Sequence, residues 1–237
     1  MKIQYSNSLD RHVFGSNAFF NVLHKTCQRS LLVAIAIGGL SACGETTAKT
    51  EQVNVTASPT SNHSGMSHGE MSLGNADIDY DLRFIDAMIP HHEGAVSMAK
   101  AVLQNSQRPE LKKLASEMIQ AQNQEIAAMK QWRKTWYAAA SETPMAWHSG
   151  MNHMMAMTPE QRAMMRMDVD LGKPDPNFDL RFINAMIPHH EGAVMMAKDA
   201  LAKSTRPEIK KLAQDIISSQ QSEIKQMQEW RKTWYKQ

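Results

Sequence analysis

Apolar side chains recur at spacings of three and four along two stretches of this chain, the signature of amphipathic helices rather than strands. In the first stretch Leu82, Ile85, Ile89, His92, Val96, Ala99 and Leu103 form one stripe, and Phe84, Met88, Ala95 and Val102 widen it. Arg83, Asp86, Glu93, Ser97 and Lys100 take the opposite, polar face. Pro90 removes a backbone donor and should bend this helix in the turn leading into the histidines. A second helix is predicted to start near Pro109, a favourable first-turn residue followed by Glu110. Its stripe is Leu111, Leu114, Met118, Gln122, Glu125, Met129, Trp132 and Trp136.

The whole pattern occurs twice. Asp81-Leu82-Arg83-Phe84-Ile85-Asp86-Ala87-Met88-Ile89-Pro90-His91-His92-Glu93-Gly94-Ala95-Val96 returns, with Asn184 in place of Asp86, as Asp179 through Val194. At the same offset Arg108-Pro109-Glu110 becomes Arg206-Pro207-Glu208, and Trp132-Arg133-Lys134-Thr135-Trp136-Tyr137 becomes Trp230 through Tyr235. Such self-similarity marks a duplicated supersecondary unit. One hairpin cannot cover both of its stripes. The predicted fold is therefore all-α, two repeated antiparallel hairpins (77–137 and 175–237) packed as one four-helix bundle. The alternative is two separate hairpins that each pair with another chain.

The flanks differ in character. Arg29 precedes an apolar run from Leu31 to Gly39, too short to span a bilayer but suited to a signal peptide. The run ends in Leu40-Ser41-Ala42-Cys43, which resembles the lipobox of bacterial lipoproteins. Residues 1–42 are thus expected to be a leader, with Cys43 lipidated and the protein periplasmic and membrane-anchored. A plain signal peptide cut near Ala42 is the alternative. Residues 43–76 are rich in Thr, Ser, Ala, Asn and Gly and read as a flexible tether. Residues 138–174 are a methionine-rich linker in which Thr158 caps a predicted short helix over 158–166.

Composition adds the chemistry. The formal charge is +2, which leaves no electrostatic footprint for nucleic acid. There are 19 methionines and 10 histidines but only 2 cysteines. Apart from His12 and His24 in the leader, every histidine falls in one of two repeated motifs. One is the pair His91-His92 and its copy His189-His190. The other is His63-Ser64-Gly65-Met66-Ser67-His68 and its copy His148-Ser149-Gly150-Met151-Asn152-His153.

Methionines surround these histidines. Met88 lies one helical turn before His92, and Met98 two turns after His91, so each pair shares a helix face. Met186 and Met196 repeat the arrangement. Met71 follows His68, and Met154, Met155 and Met157 follow His153. Met129 and its counterpart Met227 complete the candidate ligand set, although their helical spacing also suits packing, as does that of Met118. Thioether sulfur and imidazole are poor ligands for Ca²⁺ or Mg²⁺, whereas thioether suits Cu(I) and imidazole either copper oxidation state. The predicted cargo is copper, with Cu(I) preferred, Cu(II) accommodated and Ag(I) as a mimic. The bland alternative for His92 is a core histidine hydrogen-bonded to Gln122 or Glu125.

The Met-Ile-Pro-His-His-Glu-Gly-Ala-Val motif, with a following helix that ends in Trp-Arg, resembles the bacterial family called domain of unknown function 305. The likeness covers residues 77–137 and 175–235. It implies a ferritin-like helical fold and copper binding by Met88, His91, His92 and Met98, and by Met186, His189, His190 and Met196. Ser97 of the first unit becomes Met195 in the second, so the two units need not bind alike. The expected function is non-enzymatic copper sequestration, tolerance or delivery, with a copper exporter or sensor as the transfer partner and membrane contact through the lipid alone. A ferritin-like metal oxidase and a structural lipoprotein with packing methionines are the competing readings. The usual di-iron oxidase needs a Glu-x-x-His pair on each of two helices, and the sequence has none.

Overall fold

The computed structural model describes residues 72–237. The leader, Cys43 and the tether candidates His63, Met66, His68 and Met71 lie outside them. Among the described residues the order is α1 (Tyr80–Asn105), α2 (Pro109–Trp136), β1 (Met145–His148), β2 (His153–Ala156), α3 (Pro159–Arg166), α4 (Phe178–Lys203) and α5 (Pro207–Tyr235). Both second helices begin at the predicted prolines, each at the first helical position. The helix expected after Thr158 is α3. Thr158 Oγ1 accepts from the Gln161 amide while the Gln161 side chain accepts from the Thr158 amide, a complete capping box. No described helix is long and apolar enough to cross a membrane.

α1/α2 and α4/α5 are the two hairpins, and α1 packs antiparallel on α4 at the centre. One apolar cluster joins Phe84, Ile85 and Met88 of α1 to Ala193–Ala200 of α4 and Ile209–Ile216 of α5. The other joins Ala95–Val102 of α1 to Leu111–Met118 of α2 and Phe178–Ile187 of α4. The clusters exchange under an approximate two-fold that relates the repeats. Each inter-helix turn reaches across to the other repeat. Arg108 sits 4.1 Å from the Trp234 ring and 3.4 Å from Asp179, while Arg206 sits 4.3 Å from Trp136 and 3.4 Å from Asp81. These cross-repeat contacts bring both hairpins into one ferritin-like four-helix bundle.

Three features depart from the sequence reading. The linker holds a two-stranded hairpin, β1 antiparallel to β2 with His148 opposite His153; a four-residue strand is too short for period-two alternation to register. The end of the predicted tether is tied down, because Leu73 is buried in the core and Arg83 donates to the Leu73 and Asn75 carbonyls. Arg83 and Asp86, assigned to the polar face of α1, are buried. The linker and tether wrap that face of the first repeat. Asp86 there accepts two hydrogen bonds from Arg133 and one from the Met145 amide.

The second repeat shares part of this wrapping, since Arg181 donates to the Leu171 and Lys173 carbonyls as Arg83 does to those of Leu73 and Asn75, but among the described residues Asn184 receives no bond from a β-hairpin amide. The equivalent pair, Arg231 and Asn184, is exposed and spans 3.4 Å. Asp86→Ala removes the carboxylate partner of Arg133, leaving it the Ser141 and Thr143 carbonyls, and strips the Met145 amide of its acceptor. It should cost about 3 kcal/mol in urea denaturation, whereas Asn184→Ala should fall within about 0.5 kcal/mol of wild type.

Candidate metal centre

The His-His pairs lie at the midpoints of α1 and α4, where the helices cross. Each follows a proline that both helices run through without interruption. All four imidazoles are buried, none more than 1% exposed. The His91 and His189 rings meet across the crossing with centroids 3.9 Å apart. His92 and His190 stand 6.5 and 6.2 Å from their sequence neighbours.

The outer rings are fixed by carboxylates of the partner helix of the same hairpin. His92 Nε2 lies 2.7 Å from Glu125 Oε2, and His190 Nε2 lies 2.5 Å from Glu223 Oε2. A carboxylate oxygen accepts, so Nε2 carries a proton, and Nδ1 is the nitrogen left to offer a lone pair. His189 Nε2 donates to the Arg166 carbonyl at 3.0 Å, with the same consequence. Among the described residues no Nδ1 of these three rings has a hydrogen-bond partner, and His91 has none at either nitrogen. Donation of one ring nitrogen to a carboxylate or carbonyl, leaving the other free, is how metal-ligating histidines are usually oriented.

Gly94 explains how the linker reaches this crossing. A Cβ there would lie 1.9 Å from the Arg166 carbonyl oxygen. Only glycine admits the end of α3 to the groove beside α1, and that approach delivers the carbonyl to His189. The sequence marks Gly94 within the motif, but nothing in it pairs Gly94 with Arg166.

The six helical candidate methionines are all buried, and the packing sorts them into two trios. Met88, Met129 and Met196 share one apolar cluster, and Met98, Met186 and Met227 share the other. Each trio draws on both repeats, so Met88 and Met98, expected beside one His-His pair, fall in different clusters. Met129 and Met227 stand one helical turn beyond Glu125 and Glu223, the carboxylates that hold the outer histidines. Among the described residues no three His, Cys, Asp or Glu side chains are grouped to hold a metal ion.

The linker candidates separate. The hairpin turn makes His148 and His153 direct cross-strand partners, about 5 Å apart at Cβ by ordinary sheet geometry. Met151 at the tip and Met155 on β2 are exposed, Met154 is half-buried and Met157 is buried. His153 is exposed, with Nδ1 donating to the Met154 carbonyl.

Burial keeps the central imidazoles neutral. Desolvation, then the neighbouring His189, pushes His91 well below the ordinary imidazole range. Desolvation, then His190, lowers His189 to about 3. A neutral imidazole offers its lone pair without first losing a proton, which suits a metal ligand.

Fold and site together define a class: a duplicated helical-hairpin bundle with a buried histidine centre at the crossing of its repeats. The chain belongs to the family described as Domain of unknown function (DUF305), whose model matches residues 81–231. It is similar to CopM in the Cu(II)-bound form, with 42% identity over 65% of this chain and 97% of that one and a TM-score of 0.54. CopM in the Cu(I)-bound form gives 40% identity over the same shares at a TM-score of 0.50. A DUF305 fragment from Deinococcus radiodurans is 27% identical over 65% of this chain and 95% of that one, with a TM-score of 0.51. The uncharacterized protein L153 of Acanthamoeba polyphaga mimivirus is 49% identical over 49 residues, which span 21% of this chain and 32% of that protein.

A histidine that is neutral when buried and protonated when unfolded destabilises the fold as pH falls. His91 and His189 contribute their full stability above about pH 6.5 and lose it toward the lowered folded-state values. Each should remove up to about 1.4 kcal/mol per pH unit across that window. Chemical denaturation of the apo protein at pH 7 and pH 5 should show the loss, and the H91Q/H189Q variant should show a shallower dependence.

Proposed function

We propose that this chain is a non-catalytic copper-binding protein that holds Cu(I) between the central histidines, with buried methionines supplying soft sulfur. The observation that carries this reading is the set of four buried imidazoles. Three are oriented through Nε2 with Nδ1 unpartnered, and the fourth has no partner at all. A buried polar atom without a partner costs roughly 1–3 kcal/mol, so a core that retains several of them has a use for their lone pairs. CopM, to which the chain is similar, has structures in Cu(I)-, Cu(II)- and silver-bound forms, which supports copper as the cargo. The cross-strand His148 and His153 suit Cu(II), for which imidazole is a good ligand.

In this reading Glu125, Glu223 and the Arg166 carbonyl orient the rings, and thioethers favour Cu(I) and Ag(I) over Zn²⁺. The protein acts outside the cytoplasm, exported by the leader and anchored through Cys43. It buffers copper there or passes it to an exporter or sensor. Methionine serves that compartment because it provides soft sulfur that cannot be oxidised to a disulfide.

Competition with a Cu(I) chelator tests the proposal. Wild type should bind Cu(I) more tightly than Zn²⁺ and yield Cu(I) to Ag(I). H91Q/H189Q should lose at least about 100-fold in Cu(I) affinity, about 2.7 kcal/mol, while circular dichroism stays helical. Equal Cu(I) affinity in a folded variant would remove the histidine crossing from the site.

A further inference from the structure

Beside the hairpin the structure holds a second place of the same chemistry. A cavity of about 400 Å³ lies between β1, the segment after β2, α3 and the start of α1. Four methionines from three separate pieces of chain line it: Met145 from β1, Met157 after β2, and Met164 and Met165 from α3. His148 also lines it, and its Nδ1 is buried without a hydrogen-bond partner. Packing alone accounts for Met157 and Met165, which are buried. It accounts neither for a void left among four flexible side chains nor for Met164, which is 47% exposed at its edge.

The wall chemistry selects the ligand. Among the described residues no carboxylate and no thiol lines the cavity, so a hard or divalent cation finds no anionic partner in them. The one charged lining residue, Arg83, spends its donors on Asp77 at 2.9 Å and on the Leu73 and Asn75 carbonyls, and its guanidinium lies 4.9 Å from the Trp147 ring. Besides the uncharged Ser72, Ser149 and Gln161, the side-chain donors are thioether sulfur and the His148 imidazole, the pair that suits a soft monovalent ion.

The cavity also leads inward. Met165 belongs both to its wall and to the apolar cluster that contains Met88, Met129 and Met196. The next residue, Arg166, gives its carbonyl to His189 and rests against Gly94. One turn of α3 thus joins an exposed thioether at Met164, a shared thioether at Met165 and the buried imidazoles.

We propose that this cavity is an outer soft-metal site, taking Cu(I) or Ag(I) on its methionines and His148, from which the ion passes by Met165 to the histidine centre. It rests on the copper reading above and adds a loading site to it.

Silver, which is redox-silent, serves as the probe with the full chain. Native mass spectrometry counts bound Ag(I), and ¹H–¹⁵N spectra of the imidazole rings follow the centre. The variant M145L/M157L/M164L/H148A keeps apolar bulk and leaves Met165 in place. It should bind one Ag(I) fewer than wild type, and its central imidazoles should reach the same end point more slowly. The single variant M164L, at an exposed position that the fold does not need, should weaken the outer site several-fold by itself. Unchanged Ag(I) count in the folded quadruple variant, or unchanged Ag(I) affinity in M164L, would overturn the outer site and leave the histidine centre standing. Loss of one Ag(I) without slower filling of the centre would overturn the loading role. Central imidazoles that never respond to Ag(I) in wild type would instead refute the copper reading, and the route to those imidazoles with it.

Discussion

Two imidazole rings whose centroids lie 3.9 Å apart in a buried helix crossing cannot both be charged, and the rest of the molecule is arranged around keeping them neutral and placed. Their burial requires that α1 and α4 cross at the motif itself, which puts the approximate two-fold between His91 and His189. It requires α2 and α5 to cover the outer rings, and each does so with one carboxylate, Glu125 or Glu223, aimed at Nε2. The Arg108 and Arg206 contacts at the bundle ends then fix the register of one hairpin against the other. Loss of the crossing would free both repeats to cover their stripes in other ways.

Duplication produced near-identical hairpins in unequal surroundings. The β-hairpin packs on the first repeat, where Asp86 and Arg83 are buried, while Asn184 and Arg181 at the equivalent positions stay in contact with solvent. The same asymmetry enters the centre, because His189 has the Arg166 carbonyl and His91 has no partner. His91 is therefore the ring with both nitrogens uncommitted, and His189 the ring whose orientation depends on the linker. A linker that holds a central histidine on one side and lines a methionine-rich cavity on the other couples the bundle interior to the surface. That coupling gives the Met-rich segment a role beyond joining two hairpins.

The helices and their pairing were legible because a 3.6-residue stripe repeated twice leaves few other ways to bury it. The prolines at 109 and 207 and the cap at Thr158 gave the starts of α2, α5 and α3 for local reasons of backbone geometry. The hydrogen bond of His92 was also foreseeable, since Glu125 lies on the facing stripe. The burial of Arg83 and Asp86 was not, because periodicity assigns a face without knowing whether a linker will cover it. The β-hairpin and the approach of Arg166 to Gly94 were hidden for the same reason: both are contacts between segments distant in sequence. The split of Met88 and Met98 into different clusters follows from the antiparallel crossing, which pairs each half of α1 with the opposite half of α4. Helical spacing within one repeat carries no trace of it.

In the proposed function the histidine crossing itself is the place where the metal ion sits. Anomalous diffraction at the copper edge from a crystal of the chain loaded with Cu(I) under reducing conditions locates the ion directly. The peak is expected inside the bundle, within bonding distance of a His91 or His189 ring nitrogen. Copper found only at the surface, around His148 and His153, with no density between α1 and α4, would contradict it.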